Sequence, residues 1–355
     1  MRLRRVVIVV TLCLLMISLP LFAGGRRQAA DQGDRPLRIA VCLMGMLGDL
    51  SYNDLLKEGT DRAVADFGVY VRIFEARGPA DFEGNLMAAI AGGFDLIITQ
   101  GSPFIGILAE HAPRHPNQLF AITDAIMNPI PPNVTCIAFA PNEGQFLVGA
   151  AMAMFATRTE IPGVTGERRV GWITGLESPN INDFWAGFQQ GVHHIDPDMT
   201  ILRAFAGSWS DPIRGKELAL AQFDQGVSII ANVGSRTGLG IFEAAQERGR
   251  FLVGVDMNQD HLAPGHVLTS MLKHIDVGVY AVIENLVNGH FNGGGFTYMD
   301  LASGGVGLTD FAVMRQHLGP LFPEDIVTKV NELERQIISG EIRVNTFPGI
   351  RPWER

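Results

Sequence analysis

Three short motifs occur twice along the chain, in the same order and at nearly constant spacing. "RIAVCLMG" recurs as "RRVGWITG", "GFDLIITQGS" recurs as "GVSIIANVGS", and "FAITD" recurs as "LVGVD". The paired motifs end at Gly45 and Gly175, at Ser102 and Ser235, and at Asp124 and Asp256, which are 130, 133 and 132 residues apart. The chain of 355 residues is long enough for two domains. The repeat therefore predicts two domains of similar architecture.

Within each repeat, short apolar runs alternate with amphipathic stretches. We expect strands at 38–44, 69–75, 96–100, 119–123 and 134–139, and again at 169–174, 200–205, 228–233, 251–255 and 266–271. Helical patterns lie at 53–67, 81–92, 142–157, 182–194, 213–224 and 239–248, with a last helix near 323–339. Strands that alternate with helices form βαβ units with buried parallel sheets. The predicted fold class is α/β.

The charge and the cysteine content exclude several classes of protein. A net charge of −9 argues against a nucleic-acid partner, because such proteins neutralise phosphates with Lys and Arg. The sequence contains no CxxC, no HExxH and no His/Cys cluster, so neither a metal nor another cofactor is predicted. Cys42 and Cys136 lie in predicted strands and are expected to be buried thiols, although a secreted protein could also pair them.

The N-terminus has the features of a secretory signal. "MRLRR" is basic, a 17-residue apolar run follows at 6–22, and "AGG" supplies small residues for cleavage. We expect residues 1–24 to be removed and the protein to be periplasmic or otherwise extracytoplasmic. An uncleaved anchor is the alternative, since 17 apolar residues lie near the lower limit for spanning a bilayer. Cys13 lies inside the apolar run rather than after it, so no lipid anchor is predicted.

The paired aspartates mark an expected cleft. In open α/β sheets, ligands bind beyond the carboxyl ends of the strands. Asp124 and Asp256 follow matching strands, so each is expected to project from one wall of a cleft between the domains. Taken singly, either aspartate could be a helix cap or a turn residue. Their matched placement favours the cleft.

The loop after the first strand, "MGMLGDLSYNDLLKEG", combines several groups that can bind a ligand. Asp49 can accept hydrogen bonds, Asn53 can donate and accept, and Tyr52 offers a flat face. Ser51 or Asn53 could instead cap the helix that follows. An aromatic ring in a polar loop does not serve a core, so Tyr52 favours a planar ligand.

The other strand ends add acceptors and aromatic rings but few cations. Further candidate ligand residues are Gly101, Ser102, Trp185, Trp209, Gly234 and Lys273. Phe184 can be a ligand contact or a core residue, and Lys273 can bind ligand or pair with Asp256. A phosphorylated ligand would require clustered Arg or Lys, and "GSRTGLG" matches neither phosphate-loop motif. A nucleoside fits these strand ends better than a nucleotide or an amino acid.

Taken together, the motifs resemble the basic membrane protein family of bacterial solute-binding proteins, which includes purine nucleoside receptors. The resemblance is carried, in order, by "GDLSYND", "DLIITQGS", "FAITD", "EGQFLVGAAMA", "GSWSDPIRGKELA", "GLGIFEAA", "GVDMNQ" and "LTSMLKHID". It implies a type I periplasmic binding protein fold, with two Rossmann-like lobes joined by a hinge of three crossovers. The implied N-terminal lobe is 36–157 plus about 268–300, and the implied C-terminal lobe is 166–267 plus about 301–345.

The resemblance also implies roles for individual residues. In nucleoside-binding relatives, the acid of the "GD" pair and the aromatic–Asn pair after it contact the ligand, which implies Asp49, Tyr52 and Asn53. The family usually has Phe at the position of Tyr52, so this chain keeps the flat face and adds a hydroxyl.

The second wall of the site follows from the same resemblance. It implies that Asp124 accepts hydrogen bonds from the base and that Asp256 binds the ribose hydroxyls with help from Lys273. Nucleoside receptors carry a second stacking aromatic on the strand that matches "SIIANVG", where this chain has Ala231. Either Trp185 or Trp209 replaces that ring, or the ligand is not a purine nucleoside.

Binding without turnover is therefore the expected function, in partnership with the permease of an ABC importer and as a monomer. A sugar or another neutral solute is an alternative ligand, and a sensor is an alternative role. A secreted nucleoside hydrolase would need a nucleophile–base pair, which the sequence does not supply. Asp49, Asp124 and Asp256 could in principle gather around a metal, but their sequence separation neither supports nor excludes this.

Overall fold

The computed structural model describes residues 35–348, so the predicted signal at 1–24 lies outside the described residues. Within that range the strands are β1 (Arg38–Cys42), β2 (Tyr70–Phe74), β3 (Leu96–Gln100), β4 (Leu119–Thr123), β5 (Val134–Phe139), β6 (Arg169–Thr174), β7 (Thr200–Phe205), β8 (Ile229–Val233), β9 (Phe251–Asp256), β10 (Val267–Lys273), β11 (Phe296–Met299) and β12 (Val306–Leu308). The first and last residues of each predicted strand lie within two positions of those of an observed strand.

The helices in the same range are α1 (Tyr52–Phe67), α2 (Phe82–Ala91), α3 (Pro103–His111), α4 (Pro141–Phe155), α5 (Pro179–Ile195), α6 (Pro212–Asp224), α7 (Leu239–Arg248), α8 (Ile275–Val287), α9 (Ala312–Leu318) and α10 (Glu324–Ile338). Short 3₁₀ turns lie at Pro79–Asp81, Ala112–Arg114, Ser235–Gly238 and Gly319–Leu321. Among the described helices, none combines the length and the apolar character that crossing a membrane requires.

The strands form two sheets, as the repeat predicts. Within residues 35–348, one sheet has the order β2-β1-β3-β4-β5-β11 and the other has the order β7-β6-β8-β9-β10-β12. The first sheet is parallel throughout, and in the second only β12 runs antiparallel, against β10. The central strands are rich in Ile and Val and fully buried, because helices cover both faces of such sheets. The α/β class is confirmed.

The chain passes between the two sheets three times. It leaves the first sheet after β5 and enters α4, which packs against α5 and α10. It returns after β10 through α8, which packs against α1, and it crosses again between β11 and β12. These are the three crossovers that the family resemblance implies.

Two elements depart from the predicted lobe limits. β10 pairs with β9 in the second sheet, although the expected N-terminal lobe included residues from about 268. α4 packs against α5, although 36–157 was assigned to the N-terminal lobe. Sequence spacing does not show which neighbour a strand or helix will contact, and that contact decides its lobe. The other lobe limits remain predictions.

The two thiols in the described part of the chain are buried and unpaired, as expected for strand cysteines. Cys42 in β1 and Cys136 in β5 both carry free thiols. Burial raises the pKa of the Cys42 thiol to about 12 and also raises the pKa of Cys136. Neither thiol is therefore ionised or reactive near neutral pH.

Helices α4 and α5 approach each other with their backbones in contact. A methyl group at Gly191 would lie 1.9 Å from the carbonyl oxygen of Phe146, and one at Gly187 would lie 2.0 Å from that of Asn142. A methyl group at Gly149 on α4 would likewise lie 2.3 Å from the Phe188 carbonyl oxygen. Because the obstructing atoms belong to the backbone, they cannot move aside as a flexible side chain could.

The contact predicts that Gly191→Ala destabilises the protein by about 1–3 kcal/mol, because the added methyl group overpacks the helix interface. Gly106→Ala is the matched control, since Gly106 is also within a helix but has open space around it. That change should stabilise the protein by up to about 1 kcal/mol. Denaturant unfolding of the two variants measures both effects. Equal stability of the two variants would contradict the close helix contact.

Candidate functional site

A cavity lies between the lobes, at the carboxyl ends of strands from both sheets. The first sheet contributes Gly101 and Asp124, and the second contributes Val233, Asp256 and Lys273. The centre of a water molecule can reach about 180 Å³ of this space. One buried water needs roughly 10–15 Å³ on that measure, so the cavity accommodates a small organic molecule.

The two aspartates that the repeat pairs lie in opposite walls. Asp124 follows β4 and Asp256 ends β9. Both residues have left-handed backbones, with φ of 60° and 67°, a conformation that Asp adopts more readily than most residues. The matched sequence positions therefore also match in local geometry, which turns both side chains into the cavity.

Lys273 connects these two carboxylates. Its Nζ lies 2.8 Å from Asp124 Oδ2 and 3.4 Å from Asp256 Oδ1, and its side chain is 3% exposed. Burial alone would lower the pKa of Lys273, but the carboxylates of Asp124 and Asp256 outweigh burial and raise it. The ammonium therefore stays charged. Asp256 Oδ1 receives no well-oriented hydrogen bond, although Lys273 is within ion-pair distance.

Aromatic rings surround this ion-pair array. Lys273 Nζ lies 4.8 Å from the centre of the Tyr52 ring and 5.0 Å from that of Phe184. Tyr52 also shares a hydrogen bond of 2.6 Å with Thr123 Oγ1. Burial and the nearby Asp124 carboxylate raise the pKa of Tyr52 well above its usual value, so its hydroxyl keeps its proton. Trp209 adds a third ring to the wall.

Glycine and amide groups complete the wall from the first lobe. Asn53 donates from Nδ2 to the carbonyl of Met46, and its Oδ1 accepts a hydrogen bond of 2.8 Å from Gln100 Nε2. These bonds hold the amide at the cavity edge beside Gly101 and Ser102. Eight of the sequence-predicted ligand residues therefore line the cavity: Tyr52, Asn53, Gly101, Ser102, Asp124, Trp209, Asp256 and Lys273.

Asp49 does not line the cavity, contrary to the expectation. It is almost fully buried and accepts hydrogen bonds from the backbone N–H groups of Ser51, Asn53 and Asp54. Ser235 Oγ donates to it from the other lobe, at 2.8 Å. Its carboxylate caps α1 and joins the lobes, which leaves it facing protein rather than the cavity.

Trp185 and Gly234 are also absent from the cavity wall. Trp185 packs behind it, with its ring centre 5.3 Å from that of Trp172 and the Arg203 guanidinium 4.6 Å away. Gly234 lies between two lining residues, Val233 and Ser235. Sequence position alone could not show that Trp185 points to the sheet while Trp209 points to the cleft.

Several residues that line the cavity were not among the sequence-predicted ligand residues. They lie at the start of α5. Asn180 Nδ2 donates to Asp124 Oδ2 at 2.9 Å, and Ser178 and Ile181 also contribute. The sequence allows Phe184 to be either a core residue or a ligand contact. In the structure it is buried and also lines the cavity. The Ser–Pro helix start in "GLESPN" was an available signal for these positions.

The expected second stacking position does not reach the cavity. Ala231 is buried within β8, whereas Val233 at the end of the same strand lines the wall. Phe184 and Trp209 supply rings from other elements. The absence of an aromatic at Ala231 therefore does not leave the cavity without a second flat face.

Three direct hydrogen bonds join the loop before α1 to the opposite lobe. Ser51 Oγ donates to Asp256 Oδ2 at 2.6 Å, and Gln259 Nε2 donates to the Leu50 carbonyl at 2.7 Å. The bond between Ser235 and Asp49 is the third. The lobes are therefore closed over the cavity.

The arrangement of the three aspartates does not favour a metal. Lys273 lies between Asp124 and Asp256, and Asp49 caps a helix. In the described residues, the group with convergent metal-type ligand atoms is Glu83, Glu110 and His111, which does not line the cavity.

Comparison with known proteins gives a consistent result. Residues 37–347 match the family model described as ABC transporter substrate-binding protein, PnrA-like. A solute-binding protein of an ABC transporter system from Aeropyrum pernix K1 is 30% identical, with a TM-score of 0.81 over 88% of this chain and 94% of that one. A second such protein, from Conexibacter woesei, is 22% identical and has a TM-score of 0.66. The match covers 88% of this chain and 99% of that one, and it supports the fold.

Curated relatives include proteins named as lipoproteins and as basic membrane proteins. An uncharacterized lipoprotein of Pyrococcus furiosus is 28% identical over 92% of this chain and 85% of its own length. Basic membrane protein A2 of Borrelia garinii is 26% identical over 86% of this chain and 88% of its own length. Relatives named as lipoproteins leave the predicted absence of a lipid anchor without support.

The fold is thus that of type I periplasmic binding proteins, and the matching family consists of extracytoplasmic proteins that bind a small ligand and work with the permease and ATPase of an importer. The chain belongs to the PnrA-like, or basic membrane protein, family of ABC transporter substrate-binding proteins.

Proposed function

We propose that this protein binds a nucleoside, with purine nucleosides favoured, in the inter-lobe cavity and delivers it unchanged to an ABC importer as a monomer. The observation that carries the proposal is the array of Asp124, Lys273 and Asp256 set among aromatic faces. All three charged residues of this array line the same cavity between the lobes.

The charges around the cavity favour a neutral ligand. Asp124, Asp256 and Glu177 line it with three carboxylates, against the single ammonium of Lys273. Among the described lining residues there is no arginine. Phosphate groups require clustered cations, so the negative balance disfavours nucleotides and other anions.

The polar groups and the rings suit the two halves of a nucleoside. Tyr52, Phe184 and Trp209 offer flat surfaces for a base. Asp256 Oδ1 is a buried acceptor without a well-oriented donor, and a ribose hydroxyl supplies such a donor. A sugar would use the same carboxylates, but three aromatic rings favour a ligand that includes a base.

The same residues support binding without turnover. Neither His nor Cys lines the cavity in the described chain, and Lys273 is held by two carboxylates. The described lining therefore offers no Ser–His or Cys–His pair of the kind that activates a nucleophile.

Calorimetry with adenosine, guanosine, inosine and uridine, against ribose, free bases and amino acids, tests the proposal. A purine nucleoside should bind, and Tyr52→Ala should weaken that binding roughly 5- to 150-fold, because base–aromatic stacking is worth about 1–3 kcal/mol. Tyr70→Ala is the matched control, because Tyr70 is 47% exposed on an edge strand away from the cavity. It should leave the affinity unchanged.

Two results would contradict the proposal. A response to another solute but to no nucleoside would remove the nucleoside assignment while leaving the family intact. Release of free base during incubation with a nucleoside would show turnover.

The ion-pair array predicts a separate effect on stability. Lys273→Met leaves two buried carboxylates without their cation and should destabilise the ligand-free protein by about 3–5 kcal/mol. Lys216→Met removes a partly exposed lysine that pairs with Glu247 at the surface, and should leave the free energy of unfolding nearly unchanged because solvent screens the pair. Denaturant unfolding measures both variants.

A second substitution sharpens this test. Adding Asp124→Asn to Lys273→Met removes one unpaired charge and should recover part of the lost stability. Simple additivity of the two substitutions would show that Lys273 and Asp124 do not form the proposed pair.

A further inference from the structure

A second chamber lies directly behind the main cavity. The two share Ser102, Asp124 and Asn180, and the hydrogen bond between Asn180 and Asp124 lies in this shared wall. The centre of a water molecule can reach about 200 Å³ of the second chamber, which is comparable to the main cavity.

The walls of the second chamber are mostly apolar. Ile105, Ile126, Ala138 and Phe139 come from the first lobe, and Pro179 comes from the start of α5. These side chains offer van der Waals contact but no hydrogen bonds.

Both carboxylates in the second chamber already have partners. Asp124 accepts from Lys273 and Asn180, and Asp183 accepts from the backbone N–H of Phe347 at 2.8 Å. Two carboxylates also exclude an anionic group. What remains is space for an uncharged, hydrophobic substituent.

Asp124 lies in the shared wall and can accept a hydrogen bond from a base in the main cavity. Tyr52 bonds to Thr123, the residue before Asp124, so a base stacked on Tyr52 presents its edge to the Asp124 carboxylate. A carboxylate accepts hydrogen bonds only, so it selects an N–H group on that edge. The exocyclic amine of adenosine has two hydrogens, and one can bond to Asp124 while a substituent replaces the other.

We propose that the second chamber receives the substituent of N6-substituted adenosines, so that the ligand class extends to nucleosides with a hydrophobic group on the exocyclic amine. This inference rests on the proposed nucleoside function.

Calorimetry with adenosine and N6-benzyladenosine tests the inference. The wild-type protein should bind both, with affinities within about tenfold of each other. N6,N6-dimethyladenosine is the control for the donor, because it has no N–H for Asp124, and it should bind about tenfold or more weakly than adenosine.

A variant that fills the chamber provides the decisive comparison. Ala138→Phe should weaken N6-benzyladenosine about tenfold or more, because the new ring occupies the space of the benzyl group. Adenosine should keep its affinity within about twofold, since Ala138 does not line the main cavity. Ile105→Trp fills the chamber from α3 and should give the same selective loss if Ala138→Phe does not fold, as thermal unfolding will show.

The possible results are distinguishable. Adenosine binding without N6-benzyladenosine binding would overturn the inference and leave the proposed function intact. An equal effect of the filling variants on both ligands, or no effect on either, would show that the chamber is only a gap beside the crossovers. Failure of every nucleoside to bind would overturn the proposed function and the inference with it.

Discussion

The ion pair between Lys273 and Asp124 is the interaction on which the cleft depends, because it joins the two lobes at their strand ends. Lys273 ends β10 in the second sheet, whereas Asp124 follows β4 in the first. Taking these charges out of water costs several kcal/mol per ion, and only close pairing offsets that cost. The pair is therefore formed when the lobes are together, and the same geometry brings Asp256 and the aromatic rings around one space.

Closure combines these protein contacts with those of a ligand. The inter-lobe hydrogen bonds of Ser51, Ser235 and Gln259 each contribute modestly, since folding exchanges them for bonds to water. A ligand held by both walls adds contacts that exist only in the closed arrangement, and so shifts the population toward it. The apolar chamber behind Asp124 belongs to the same closed arrangement, because residues of both lobes form it.

Much of the architecture could be predicted from the pattern of the chain. The repeat identified matching strands, and the residues that follow β4 and β9 do face one cavity. The limits of prediction lie in side-chain direction. Asp49 is three residues from Tyr52, which lines the cavity, yet it turns inward to cap α1. Trp185 packs against Arg203, while Trp209 lies in the wall. A loop motif places such residues near a site but does not determine which way each one points.

The sequence by itself determined the α/β class, the two sheets and the strand ends that line the cavity, because period, apolar runs and repeats are local properties of the chain. The tertiary structure alone decided that β10 joins the second sheet, that Asn180 reaches Asp124, and that Lys273 pairs across the cleft. The two side-chain contacts join residues that are 56 and 149 positions apart in the chain. Such contacts form only when separate elements pack together, so no local pattern records them.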